Sequence, residues 1–304
     1  MSKIDETFQQ LCKEILQNGK EYENKNRGVK RLQIPSYTLH HSFEDGFPAI
    51  TNKKLYWKGI VTELIWFLRG DTDIEYLNDN GVTIWNQDAY NWHKKSGGET
   101  PFDEFNKQGK GSVGANYSKQ WRDFCGVDQI KRLIQDMEKD IMSSRLKVNA
   151  WNPAEIFDTA LPPCHSEFQV IGVPLENDNF GFELHWNQRS VDTFLGLPFN
   201  IASYGLLAKI LEEITGYKAL GIEGTLKCVH FYDNQYDAVK ELLTRNPNTH
   251  QNCEIEINTN KSILLNTYDK FIFNIENWKP SDFKLLNYTS DDAIKVEMLA
   301  PSKI

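Results

Sequence analysis

The chain lacks any apolar run of the roughly 18–20 residues that a membrane-spanning helix needs. It also lacks the basic-then-apolar opening of a secretory leader, beginning instead Met1-Ser2-Lys3-Ile4-Asp5-Glu6. Together these absences predict a cytoplasmic protein with no membrane partner. No linker rich in Pro, Gly or Ser divides the sequence, so a single α+β domain over 1–304 is expected. The cysteines Cys12, Cys125, Cys164, Cys228 and Cys253 are odd in number, widely spread and never in a Cys-x-x-Cys pair. That argues against a disulfide framework and against a zinc site. Positive charge is in short supply as well, with 34 basic against 42 acidic residues and a net charge of −8. A protein built to grip nucleic acid or an anionic membrane is disfavoured, and an anionic small substrate would need locally placed arginines.

What is present supports a substantial core: 40% of residues are hydrophobic and 12% are aromatic. Ile4, Phe8, Leu11, Ile15 and Leu16 recur at helical spacing up to Asn18-Gly19, predicting an amphipathic helix capped by glycine. Residues 31–44 read as a strand running into a turn at Asp45-Gly46-Phe47-Pro48. Residues 57–68 are strongly apolar, interrupted by Lys58, Thr62 and Glu63, and predict a buried helix; a carboxylate there is costly without a purpose or a partner. Between 91 and 114 the chain turns to Lys, Gly, Ser and Asn, which predicts an inserted surface loop. Helical periodicity returns at 129–140 and 201–214, and strand-like segments fall at 147–151, 166–173 and 180–187.

The chemistry-bearing stretches are Leu161-Pro162-Pro163-Cys164-His165, then Gln188-Arg189-Ser190-Val191-Asp192, then Gly196-Leu197-Pro198-Phe199-Asn200-Ile201-Ala202-Ser203-Tyr204. Alone, a cysteine beside a histidine is more often an inert thiol than a nucleophile, and Arg189 with Asp192 reads equally well as a surface ion pair. A Cys-His hydrolase is a poor reading, since adjacent side chains diverge. In this order, however, the segments closely resemble the signature of the thymidylate synthase family. There the nucleophilic cysteine lies in a Pro-Cys-His turn and a phosphate-binding arginine in Gln-Arg-Ser-x-Asp. The likeness runs through most of the chain. It takes in Thr51-Asn52-Lys53-Lys54, Glu63-Leu64-Ile65-Trp66-Phe67-Leu68-Arg69-Gly70-Asp71, Gly81-Val82-Thr83-Ile84-Trp85, Ala150-Trp151-Asn152 and Val229-His230-Phe231-Tyr232-Asp233-Asn234.

The resemblance implies an α+β fold in which a bent, mostly antiparallel sheet packs with helices, and a homodimer formed through the sheet faces. It implies dUMP as substrate, 5,10-methylenetetrahydrofolate as co-substrate and no metal; nucleic acid is not an expected partner. Cys164 would add to C6 of uracil, with His165 beside it. Arg189, Arg27 or its rival Arg31, and Arg145 from the other subunit would hold the phosphate, helped by Gln188 and Ser190. Asn200 would read the O4 and N3–H edge of uracil, where the deoxycytidylate hydroxymethylase branch carries an aspartate. His230 and Tyr232 would bind the deoxyribose hydroxyl, and Glu63 and Tyr117 would move protons. Trp85, Ile84, Leu195, Gly196, Phe199 and Asp192 would hold the folate, Asp192 through the pterin.

Several positions depart from the family pattern. The usual paired arginines are Ser144-Arg145, the N-terminal arginine is followed by Gly28-Val29, and the stretch before the active-site tyrosine reads Gly114-Ala115-Asn116-Tyr117-Ser118. Trp85 is followed by Asn86-Gln87-Asp88, and residues 299–304 extend past Met298. These departures leave two reactions to distinguish: reductive methylation to dTMP, and hydration of the same intermediate to 5-hydroxymethyl-dUMP. A non-catalytic nucleotide-binding homologue is the reading from a different class.

Overall fold

The computed structural model describes residues 2–24, 29–259, 267–297 and 299. Strands β1 (Lys20–Asn24), β2 (Val29–Ser42), β3 (Lys147–Asn149), β4 (His165–Pro174), β5 (Phe180–Gln188), β6 (Val191–Asp192) and β7 (Lys218–Tyr232) form a seven-stranded sheet. Its order is β1-β2-β7-β5-β4-β3, with β6 beside β7. Pairing is antiparallel except where β5 and β6 run parallel to β7. A second, two-stranded antiparallel sheet joins β8 (Glu254–Ile257) to β9 (Phe283–Leu286).

Alternation along the strands gives the large sheet two unlike faces. Phe168, Val170, Phe182, Leu184, Trp186, Ile222 and Leu226 are buried on one. The intervening residues carry polar contacts: Glu183 lies 3.3 Å from His40 and 2.9 Å from His185, His185 lies 3.6 Å from Glu223, and Lys147 is ion-paired with Glu167 at 2.6 Å. Helices α1 (Lys3–Asn18), α2 (Trp57–Arg69), α3 (Glu75–Asp79), α4 (Asn86–Lys95), α5 (Phe102–Gln108), α6 (Tyr117–Arg122), α7 (Gln129–Lys139), α8 (Gly196–Thr215), α9 (Tyr236–Thr244) and α10 (Thr267–Asn277) complete the fold. α1 packs on β2, and α8 packs on β5 and β7. Apolar side chains from both layers join one contiguous core, and no helix among the described residues is long and apolar enough to cross a membrane.

Two local features show how the sequence shapes these elements. Gly19 does end α1, but in an extended conformation with φ −61°; glycine is required because a Cβ would sit 2.4 Å from Ile15 O and 2.7 Å from Leu32 Cγ. The β2–β7 ladder skips Pro35, which has no N–H to give, and Cys228 opposite it takes φ +47°. That kink lies two residues before His230 and turns the Cys228 carbonyl to within 2.6 Å of His230 Nδ1.

Residues 91–114 differ from the expected loop, because α4 runs to Lys95 and α5 occupies 102–108. Ring packing organises them: Tyr90 lies 5.0 Å from Phe102 and 5.5 Å from Phe105, and His93 lies 5.1 Å from Phe105. Asn86 Nδ2 adds hydrogen bonds to Asn78 Oδ1 at 3.0 Å and Asn106 Oδ1 at 2.7 Å.

Candidate active site

Cys164 stands immediately before β4, in an irregular turn that other side chains hold in place. Its backbone N–H donates to Tyr117 Oη at 2.7 Å, and its carbonyl accepts from the Arg189 N–H at 2.8 Å. The Arg189 guanidinium donates from Nε to Pro163 O at 2.8 Å and from Nη2 to Pro162 O at 2.7 Å, lies over the Trp151 ring, and brings Nη2 within 4.0 Å of Cys164 Sγ. The half-buried thiol thus has a fixed cation beside it, the environment that favours a thiolate.

Tyr117 begins α6 with its ring stacked on His165 at 4.2 Å and tilted against Phe67 at 4.9 Å. His165 Nδ1 shares a hydrogen bond with Tyr204 Oη at 3.0 Å. Burial drives the His165 pKa down to about 3, so the ring is neutral at any working pH. Tyr117 is likewise held neutral, its pKa raised well above the usual value mainly by burial. On the far side of this aromatic group, Glu63 of α2 accepts from Trp85 Nε1 at 2.6 Å. Desolvation raises the Glu63 pKa to about 7, against the lowering effect of the indole N–H.

Strand register assembles the remaining residues. His165 lies opposite Gln188, which donates from Nε2 to Asn200 Oδ1 at 3.0 Å and to Ser190 O at 3.3 Å. Asp192 lies opposite His230. His230 Nδ1 must carry the proton, since the Cys228 carbonyl can only accept, and its ring meets Tyr232 edge-on at 4.9 Å. Asp192 accepts from Gln235 Nε2 at 3.1 Å and from the Leu195 N–H at 3.1 Å, and burial raises its pKa. Ile84, Leu195 and Phe199 are partly buried and packed on the core, with Gly196 opening α8 between them.

The three predicted phosphate arginines other than Arg189 fare differently. Arg27 and Met298 lie outside the described residues. Arg31 lies directly across from Tyr232 on β2, over the Tyr22 ring at 4.9 Å, and its buried Nε has no hydrogen-bond partner among the described residues. Arg145 is exposed and lines a different recess, with Phe124, Arg132 and Lys147.

A family model described as thymidylate synthase matches residues 6–300. The thymidylate synthase of Malacoplasma penetrans is 38% identical over 304 residues, spanning 95% of this chain and 97% of that protein. That of Mycoplasma genitalium is 40% identical over 271 residues, 85% of this chain and 91% of its own, and that of Mycoplasma mobile is 37% identical with 96% and 99% covered. The chain belongs to the thymidylate synthase family.

In this member of the thymidylate synthase family, several residues near the site had no role assigned by the motif reading. Lys53 is buried, donates to Phe194 O and lies 4.0 Å above the Phe194 ring. Burial lowers its pKa to about 8, and the charge of Asp192 opposes that shift. Gln235 acts on Asp192 from a segment whose sequence announces only packing, and Tyr204 acts on His165 from the end of the stretch that carries Asn200. The segment before Met298 is also tied to this end of the fold, with Asn234 Nδ2 donating to Glu297 O at 2.8 Å and the Asp291 N–H donating to Thr51 O at 2.8 Å.

The Trp85–Glu63 contact yields a direct prediction. A hydrogen bond to a charged group is worth about 1.5–3 kcal/mol, or roughly 1–2 pKa units. Trp85→Phe removes the donor that favours the Glu63 carboxylate, so the ionisation near pH 7 in the kcat/KM profile should move upward by about one unit or more. An unmoved inflection would mean that Glu63 does not govern the profile.

Proposed function

We propose that the protein converts dUMP to dTMP with 5,10-methylenetetrahydrofolate, as a cytoplasmic homodimer with a single catalytic domain. The observation that carries this reading is Cys164 set between the Arg189 guanidinium and the Tyr117 hydroxyl, one strand from the Gln188–Asn200 pair.

Uracil C5 becomes nucleophilic only after something adds to C6, and a thiolate is suited to that addition. Cys164 forms the S–C6 bond, and the displaced electron pair moves towards O4. Asn200, its Oδ1 turned to Gln188, directs Nδ2 as the donor to O4, while the second lone pair of Oδ1 serves N3–H. His230 and Tyr232 meet the deoxyribose hydroxyl. Arg189 serves both the phosphate and the thiolate. Glu63, with a pKa near 7, can hold or release a proton at neutral pH, and Tyr117 takes part in removing the C5 proton. His165 remains neutral and orients Tyr117.

The residues assigned to the folate suit a flat heterocycle: Trp85, Ile84, Leu195 and Phe199 are apolar, Asp192 offers a carboxylate to ring N–H groups, and the Cβ missing from Gly196 would lie 3.6 Å from Asp192 Cβ. When bound, the folate supplies the one-carbon unit and the hydride. Arg145 belongs with the partner subunit's phosphate site, a role suited to its lining a recess other than that of Arg189; the polar face of the large sheet is the surface proposed for the dimer.

One observation favours hydration as the second reading. Asn116 and Ser118 flank Tyr117 and are fully buried, yet Asn116 Oδ1 and Nδ2 and Ser118 Oγ have no protein partner among the described residues. Buried polar groups of this kind are usually met by ordered water. Incubation with dUMP and methylenetetrahydrofolate separates the readings: dTMP with dihydrofolate is expected, whereas 5-hydroxymethyl-dUMP without dihydrofolate would establish hydration. Recognition has its own test. Asn200→Asp should move the dUMP-to-dCMP ratio of kcat/KM towards dCMP by on the order of 100-fold, because a site built to pair one base edge strongly rejects the reversed pattern. Unchanged discrimination would remove Asn200 from base reading.

A further inference from the structure

Gln188 is fixed from two directions by partners with a single hydrogen-bonding sense. The Trp186 indole N–H, which can only donate, points at Gln188 Oε1 at 3.2 Å. The Ser190 carbonyl, which can only accept, takes Gln188 Nε2 at 3.3 Å. Turning the Gln188 amide over would oppose donor to donor at the indole and acceptor to acceptor at the carbonyl. The orientation that remains presents Nε2 to Asn200, so Asn200 must offer its oxygen, at 3.0 Å. Nδ2 is then the end of the Asn200 amide turned away from Gln188.

That orientation matters because an amide serves either pyrimidine, depending on which way it faces. Uracil presents an acceptor at O4 and a donor at N3; cytosine presents a donor at N4 and an acceptor at N3. One orientation of Asn200 matches uracil and the reverse matches cytosine, so whatever locks the amide also sets the preference.

We propose that Trp186 is a specificity-positioning residue: through Gln188 it fixes which end of the Asn200 amide meets position 4 of the base and which meets N3, and thereby favours uracil over cytosine. The inference rests on the reading of Asn200 as the base-contacting residue. Trp186 is well placed for the task. It is fully buried, its ring stacks on Tyr204 at 4.9 Å and 10°, and it fits only because Gly224 lies beneath it, where a Cβ would come within 2.4 Å of the indole. An indole so confined cannot swing its N–H away from Gln188.

The experiment compares kcat/KM for dUMP and dCMP in Trp186→Phe, which keeps an aromatic ring on Tyr204 while removing the donor together with part of the indole's buried volume. The dUMP-to-dCMP ratio should fall about tenfold, the effect of losing one neutral hydrogen bond. Damage to packing alone would lower both values together, and an unchanged ratio would overturn the proposal. Should Trp186→Phe fail to fold, Gln188→Met breaks the same relay with the indole intact; a lowered ratio supports the inference and an unchanged one overturns it. Asn200→Asp separates the two levels of the argument. If that variant leaves discrimination intact, the base-reading role of Asn200 falls and this inference with it. If it shifts towards dCMP while Trp186→Phe does not, only the positioning role falls.

Discussion

Cys164→Ala should lower turnover by on the order of 10⁴-fold or more while leaving a folded protein that still binds dUMP. The magnitude follows from losing the only group suited to form the covalent bond at C6, on which every later step depends. Folding should survive because the turn is held mainly by groups the substitution leaves in place. The residue 164 N–H still donates to Tyr117, its carbonyl still accepts from Arg189, and Arg189 still grips Pro162 and Pro163. Three of the other four cysteines are ill placed to substitute. Cys12 and Cys253 are buried with their pKa values pushed up to about 12, and Cys125 is exposed beside Asn152. Intact-mass measurement with 5-fluoro-dUMP and the folate should find a covalent adduct on the wild type and none on the variant. Turnover by Cys164→Ala within about tenfold of the wild type would remove Cys164 from the mechanism.

The parts of the fold that were legible in the sequence are those whose signal is local. The 3.6-residue spacing of Ile4, Phe8, Leu11 and Ile15 matches α1, and the apolar run at 57–68 matches α2. The strands expected at 166–173 and 180–187 lie within β4 and β5. Residues 91–114 misled for a physical reason: the apolar anchors of α4 and α5 are a few rings, Tyr90, Phe102 and Phe105, set among polar residues. They stabilise helices only by meeting one another across the turn. α8 begins at Gly196, ahead of the expected 201, so Phe199 and Asn200 ride on its first turns.

The site divides in the same way. Its wording around Cys164, Arg189 and Asn200 could be read from motif order, but the relations among those residues depend on register, which no single segment encodes. That Gln188 faces His165, that Trp186 lies two residues along the same strand face, and that Tyr204 reaches His165 become visible only once β4, β5 and α8 are packed. The buried Lys53 shows the same limit: its type suggests a solvated surface residue, and only the fold places it over Phe194, near the charge of Asp192.

Glu63→Gln should trade activity for stability, and the two effects should share a pH window. The folded-state pKa of Glu63 is raised from 4.5 to about 7, chiefly by desolvation. Between those values the native state holds a proton that the unfolded chain has released, so wild-type stability falls as pH rises from about 4.5 and levels off above about 7. The whole shift amounts to at most about 3–4 kcal/mol. Glutamine stays neutral and its Oε1 can still accept from Trp85 Nε1, so the variant avoids the loss. Chemical denaturation should find the two proteins alike near pH 4 and the variant more stable at pH 8, by up to that amount. Activity should move the other way. Removing a group that exchanges protons at neutral pH costs roughly 10²–10⁴-fold in kcat, and the inflection near pH 7 should vanish from the rate profile. A variant that loses activity without gaining stability at pH 8 would mean that the Glu63 carboxylate is not the destabilising charge its desolvation implies. One that gains stability yet keeps its activity would leave Glu63 a buried charge with no part in moving protons.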